Sequence, residues 1–187
     1  MIDRGVISMV AVSCSAAFLL AGCGSFDSGG GVINSSAAAK VPVQVPTGFD
    51  PCQDIPDSVM ASVGQSSKDV DNFQAGGGTI LWRGCAWASA DGYASRIQVT
   101  NITVDSVRGQ HFPGTQEFII NGRRAIISQQ QDDHPSAACT LDVAMKGGSL
   151  EFNLTNPASA PLTGKTDTCL LTRQLAEKIV PLMPASA

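Results

Sequence analysis

The chain predicts an α+β domain, an antiparallel sheet of about five or six strands packed with a short N-terminal helix and a C-terminal helix and held by two disulfides. Three observations carry that expectation. Apolar and polar residues alternate through much of the stretch from Thr79 to Thr155, the period of strands whose side chains point to opposite faces. Asp91-Gly92, Asn121-Gly122 and Gly147-Gly148 stand between the alternating runs, and such pairs tolerate the backbone of tight hairpin turns. Helical spacing appears on either side of this region, at Ile55, Val59, Met60 and Val63 and again at Leu171, Leu175, Ile179 and Leu182.

In chain order, DPCQDIPDSVMASVG reads as one short helix. Asp50 or Asp54 caps it, Pro56 suits a first turn and Gly64 stops it. QSSKDVDNFQAGGG is polar and glycine-rich and reads as a loop. In TILWRGCAWASA, alternation puts Leu81, Arg83, Cys85 and Trp87 on one face and Ile80, Trp82 and Ala86 on the other. YASRIQVTNITV is its partner across Asp91-Gly92, with Ile97, Val99 and Ile102 alternating. QEFIINGRRAIISQQQ is the clearest hairpin, turning at Asn121-Gly122. DDHPSA is a turn. ACTLDVAM and SLEFNLT form a last pair, with Cys139, Leu141, Val143 and Met145 on one face. DTCLLTRQLAEKIVPLM is the closing helix, capped by Asp167 and kinked or ended at Pro181.

Residues 1–22 read as a lipoprotein signal peptide. Arg4 supplies the positive charge, and the uncharged run from Val6 to Leu20 has the length of a signal core and is short for a membrane span. Leu20-Ala21-Gly22-Cys23 resembles a bacterial lipobox. There a cysteine thiolate takes a diacylglyceryl group, and small residues give the peptidase room at the bond before it. Residues 23–48, a lipidated Cys23 followed by Gly, Ser, Ala and Pro, are too poor in large apolar side chains to bury a core and read as a flexible tether. Residues 49–187 are then a single globular domain, large enough for a real core. The expected location is the extracytoplasmic face of the cell membrane, anchored without spanning it. Net charge is -4 and no basic run stands out, which argues against nucleic acid as a partner.

Of six cysteines, Cys14 leaves with the signal and Cys23 goes to lipid. Cys52, Cys85, Cys139 and Cys169 remain, an even number in an exported domain, and so imply two disulfides among three possible pairings. Cys52 and Cys169 open helices in similar settings, DPC and DTC, while Cys85 and Cys139 sit mid-strand. The expected pairs are therefore Cys52–Cys169 and Cys85–Cys139. No two lie at metal-ligand spacing, so no metal and no cofactor are expected.

Taken in order, the lipobox, Asp50-Pro51-Cys52, Cys85-Ala86-Trp87, Gly122-Arg123-x-Ala125, Cys139 and Asp167-x-Cys169 resemble the family called domain of unknown function 3558. That resemblance spans about Asp50 to Leu182. It implies an actinobacterial, mycobacterial-type secreted lipoprotein and brings no assigned activity.

No catalytic motif is present: GxSxG, HExxH, SxxK and a phosphate-binding glycine loop are all missing. His111 and His134 are solitary loop histidines, and Asp132-Asp133-His134 reads as a solvated turn. Arg123 and Arg124 read as a solvated hairpin tip. Trp87 beside Cys85 reads as structural, whereas Trp82 with Ile80 would line an apolar groove if their sheet face is uncovered; Trp82 and Trp87 are the groove candidates. The expectation is a non-enzymatic, membrane-anchored binding module for an envelope protein or lipid. The alternatives are a carrier that holds an apolar ligand between sheet and helices and, last, a secreted hydrolase. Cys23→Ala is expected to abolish lipidation, and membrane retention unchanged in cell fractionation would defeat the lipobox reading.

Overall fold

The computed structural model describes residues 42–130 and 136–187. Residues 1–41, which include the stretch read as an export signal, Cys23 and most of the stretch read as a tether, lie outside the described residues, as do Asp132, Asp133 and His134. Among the described residues, eight strands form one antiparallel sheet: β1 (Ser67–Val70), β2 (Phe73–Ala75), β3 (Ile80–Ala88), β4 (Ala94–Thr100), β5 (Gln116–Ile120), β6 (Arg123–Ser128), β7 (Ala138–Met145) and β8 (Gly148–Thr155). Their order is β1-β3-β4-β8-β7-β6-β5, and β2 continues the β1 edge along β3. The sheet is larger than expected. β1 and β2 occupy the stretch read as a loop, because their side chains are almost all exposed and leave no apolar alternation to detect.

The expected hairpins form. Asn121 and Gly122 both take positive φ, 47° and 80°, which the type I′ turn between β5 and β6 demands. Gly147 (φ 87°) turns β7 into β8. At the C-terminal end, α4 (Thr168–Ile179) starts where the Asp167 carboxylate accepts from the Leu170 N–H at 2.8 Å. It stops ahead of Pro181, whose ring cannot sit inside a helix.

The N-terminal helix differs from expectation. It is two short pieces, α1 (Pro51–Asp54) and α2 (Asp57–Ala61), separated at Ile55-Pro56. Ile55 is extended (φ -89°, ψ 112°), as a residue before proline is pushed to be, so the helix breaks there. A further helix, α3 (Val104–Gly109), follows β4 with the Thr103 hydroxyl accepting from the Ser106 N–H. The packed chain also begins earlier than Phe49. Pro46 is buried, and the Asn101 side chain donates to the Pro42 carbonyl at 2.5 Å.

The two sheet faces differ. One carries Ile97, Phe152, Leu141 and Ile127 in register across four strands and is sealed by α4, whose Leu175 and Ile179 are fully buried. The opposite face carries Gln98, Glu151 and Asp142 in the next register row, ending at Ile126. There α3 covers only the Ile126 end, with Val104 and Val107.

The cysteine pairing corrects the expectation. Cys52 bonds Cys85 and Cys139 bonds Cys169, with Cα–Cα distances of 5.3 and 5.1 Å; Cys52–Cys169 and Cys85–Cys139 do not form. Each helical turn lies on the strand beneath it rather than on the other helix: α1 packs on β3 and β4, and α4 on β7 and β8. The like settings of Cys52 and Cys169 therefore reflect like roles, each pinning a helix start to the sheet. The bonds span sequence separations of 33 and 30. Loop-closure entropy makes each worth about 3–4 kcal/mol. Non-reducing peptide mapping is expected to yield Cys52–Cys85 and Cys139–Cys169 peptides, and a Cys52–Cys169 peptide would overturn this framework.

Candidate functional site

On the face that α4 leaves uncovered lies a cavity of about 690 Å³. Its apolar wall comes from Trp82 and Ile80 of β3, Phe73 of β2, and Ile102, Val107 and Phe112 in and around α3. Its polar wall comes from Arg96 and Gln98 of β4, Glu151 and Asn153 of β8, Asp71 and Gln130. Period-two alternation explains the assembly, since Trp82, Gln98 and Glu151 all stand at positions that face away from the core.

The segment between β1 and β2 forms part of the rim. β1 ends with Val70 opposite Cys85 and β2 begins with Phe73 opposite Trp82, so Asp71 and Asn72 link the two strands alongside Gly84 and Arg83, two residues against two. Four contacts hold the link: the Asp71 N–H donates to the Gly84 carbonyl at 2.8 Å, Gln98 donates to the Asp71 carbonyl at 2.6 Å, the Gly84 N–H donates to the Asn72 side chain at 3.2 Å, and Arg96 meets the Asp71 carboxylate at 2.8 Å. Gly84 is required here, because a Cβ would stand 2.2 Å from the Ile97 carbonyl oxygen on β4. Phe73 then lies tilted on Trp82 with ring centroids 5.3 Å apart.

The Trp82 indole reaches across β4, and its N–H donates to Glu151 Oε2 at 2.9 Å. Glu151 stands directly opposite Asp142 on β7, placing two carboxyls side by side on one face. Asp142 is fully buried, and its Oδ2 has no hydrogen-bond partner. Burial first, and then the neighbouring Glu151 charge, push the Asp142 carboxyl well above the usual range, against the Ser149 hydrogen bond. Burial also raises Glu151, opposed by the Trp82 N–H and the Arg96 charge. Glu151 keeps an edge on the cavity, so Asp142 is the better holder of the proton.

Geometry agrees. Ser149 Oγ lies 2.8 Å from Asp142 Oδ1 and 2.9 Å from the Ile102 carbonyl, and both are acceptors if Asp142 is ionised. One hydroxyl has one proton to give. A protonated Asp142 donating to Ser149, which donates to Ile102, satisfies every atom of that chain.

Of the groove candidates, Trp82 lines the cavity and Ile80 stands with it. Trp87 does not. Five residues along a strand reverse the face, and Trp87 is buried in the core near the Lys68 ammonium, 6.0 Å from its ring. Arg123 is no solvated tip: it donates to the Ala187 and Pro184 carbonyls, tying down the last residues. Arg124 pairs with Asp105 of α3, which also meets Arg108; Arg108 in turn holds Glu117. His111 is exposed at a positive φ of 55° and takes no part in the cavity. Asp142, Glu151, Asp71 and Phe73 were not singled out from the sequence. The available signal was acids at alternate strand positions, Asp142 and Glu151, inside otherwise apolar runs. Among the described residues, no group of three or more His, Cys, Asp or Glu is placed to hold a metal ion. No helix there is long and apolar enough to cross a membrane.

A family model described as protein of unknown function (DUF3558) matches residues 18–182. No curated protein and no solved structure matches the chain.

A carboxyl whose pKa is raised on folding stabilises the fold most below its unfolded value, and that contribution is lost as pH climbs towards the folded value. The unfolded chain sheds these protons near pH 4. Stability is therefore expected to fall from about pH 4 upward on account of Asp142 and Glu151. Asp142→Asn is expected to flatten that fall and raise Tm at pH 8; a pH profile of thermal unfolding unchanged by the substitution would refute the assignment.

Proposed function

The chain belongs to the family described as protein of unknown function (DUF3558), and on that premise we propose that it is a non-enzymatic, lipid-anchored carrier on the outer face of the cell membrane. Cys23 bears the anchor, the following residues are the tether, and the folded domain holds one small amphiphilic molecule in the Trp82–Glu151 cavity. The observation that carries this reading is the cavity itself. Its volume of about 690 Å³ falls within the range of small-molecule sites, and it combines aromatic walls with a few converging polar groups. Protein interiors pack to crystal density, so a void of this size beside Trp82 is a feature of the surface and not slack in the core.

Concavity favours a small ligand over the flat contact of a protein partner. The ligand seat differs from the one expected in a carrier of this architecture. The space between sheet and terminal helix is filled by Leu175, Ile179 and Phe152, and the opening lies on the other face, beside α3. The paired carboxyls favour one second reading, a hydrolase with Glu151 as general base, since a raised carboxyl pKa in a cleft suits proton transfer.

Native mass spectrometry of the chain extracted from its own envelope tests the proposal. An adduct that denaturation releases intact is expected, and Trp82→Ala is expected to lose it. A bare mass, or an adduct kept by Trp82→Ala, would overturn the carrier.

A further inference from the structure

We infer that the cavity takes an organic cation on an apolar body, with its ammonium or amidinium group at Glu151, Asp142 behind it, and its body against Trp82, Phe73 and Phe112. This rests on the carrier reading and adds the ligand's charge.

The charge inventory of the site carries the inference. Among the described residues, Asp71, Glu151 and Asp142 bring three carboxyls to the cavity and the floor beside it, against one guanidinium, Arg96. Arg96 is already engaged with Asp71 at 2.8 Å, so its charge reaches Glu151 only as one shared with Asp71. Among the described residues the Asp142–Glu151 pair therefore has no ion-pair partner of its own. The nearest others on this face, Arg108 of α3 and Arg124 of β6, are paired with Asp105 and Glu117. One buried oxygen, Asp142 Oδ2, has no hydrogen-bond partner among the described residues. An anion entering here would meet two carboxyls. A neutral polar group would find the Trp82 N–H already committed to Glu151. A cation supplies the missing counter-charge, and it would lie between Glu151 and aromatic rings whose faces attract positive charge.

Among the described residues, the groups facing the pair are Trp82 from β3, Arg96 from β4, Asp71 from the β1–β2 link, and Ser149 from β8. Beyond Ile126, the α3–β5–β6 charges Asp105, Arg108, Glu117 and Arg124 neutralise one another. Burial and mutual repulsion favour a proton on the empty pair, at Asp142; a bound cation favours its release to the solvent buffer, and no covalent bond changes. Affinity for the cation then falls with acidification.

Calorimetric titration of the full chain with hexyltrimethylammonium, hexyl glucoside and hexanoate tests this. The cation is expected to bind at least about tenfold more tightly than the other two at pH 8. Buffers of different ionisation enthalpy are expected to show net proton release on cation binding, growing as the pH is lowered from 8. Glu151→Gln is expected to lose the preference for the cation while hexyl glucoside binding persists. Asp142→Asn is expected to keep the cation and lose the proton release. Tighter binding of hexyl glucoside or hexanoate would overturn the cationic ligand and leave the carrier standing. No heat from any of the three, together with a bare mass from the envelope, would overturn both.

Discussion

The pairing of β7 with β8 sets Asp142 directly against Glu151, and the character of this molecule depends on that register. Two carboxylates cannot both stay ionised side by side where water is scarce. The cheaper state keeps a proton on the deeper one. Two contacts around the pair suit that state. Ser149 passes a hydrogen bond from Asp142 to the Ile102 carbonyl, and the Trp82 indole reaches over a whole strand to satisfy Glu151. Shifting β8 by one residue would bring Phe152 and Leu150 onto this face and push Glu151 into the core, so the apolar row of the other face locks the acids in place.

That division of labour lets one face hold the fold while the other remains open. The core face has the large side chains, the terminal helix and both disulfides. Each disulfide fastens the first turn of a helical piece to a strand beneath it, at Cys85 near one side of the sheet and at Cys139 near its middle. Stability gathered there does not require the opposite face to be covered, and α3 covers only its Ile126 end with Val104 and Val107. The rest is left as the cavity floor.

Much of this was legible in the residues, for physical reasons that can be named. Alternation around Trp82, the Asn121-Gly122 turn and the Asp167 cap are local signals, and each produced its element. β1 and β2 were not legible, because an exposed edge strand has no buried side and therefore no period-two pattern. The break at Ile55-Pro56 was readable in principle, since proline constrains the residue before it; treating Pro56 as a first-turn residue of one continuous helix hid it. The disulfide partners were not. Pairing depends on which strand each helix start lies over, a long-range fact that four cysteines in sequence do not contain. Trp82 and Ile80 were the site residues visible in advance, and Glu151, the hydrogen-bond partner of Trp82, lies 69 residues away, beyond the reach of any motif.

The acid pair is also the strongest argument that the open face is a site and not an unfinished core. Taking two carboxyls out of water and leaving Asp142 Oδ2 without a partner destabilises the native state, and an apolar pair at those positions would be more stable. The flanking pairs, Leu150 opposite Val143 and Phe152 opposite Leu141, are fully buried but belong to the core face; on the face of the acids the neighbouring pairs are Thr140 opposite Asn153 and Ala144 opposite Ser149, none of them ionisable. The acid pair is the charged exception among them. It lies beside the cavity, under the aromatic wall, where the Asp71-Asn72 segment brings its polar contacts to bear. A local loss of stability concentrated where a cleft opens is the ordinary signature of a binding or reacting surface. Here it falls on two carboxyls that burial pushes toward the protonated form, one of them on the cavity wall, so a ligand that favours their charged form would couple its binding to their protonation.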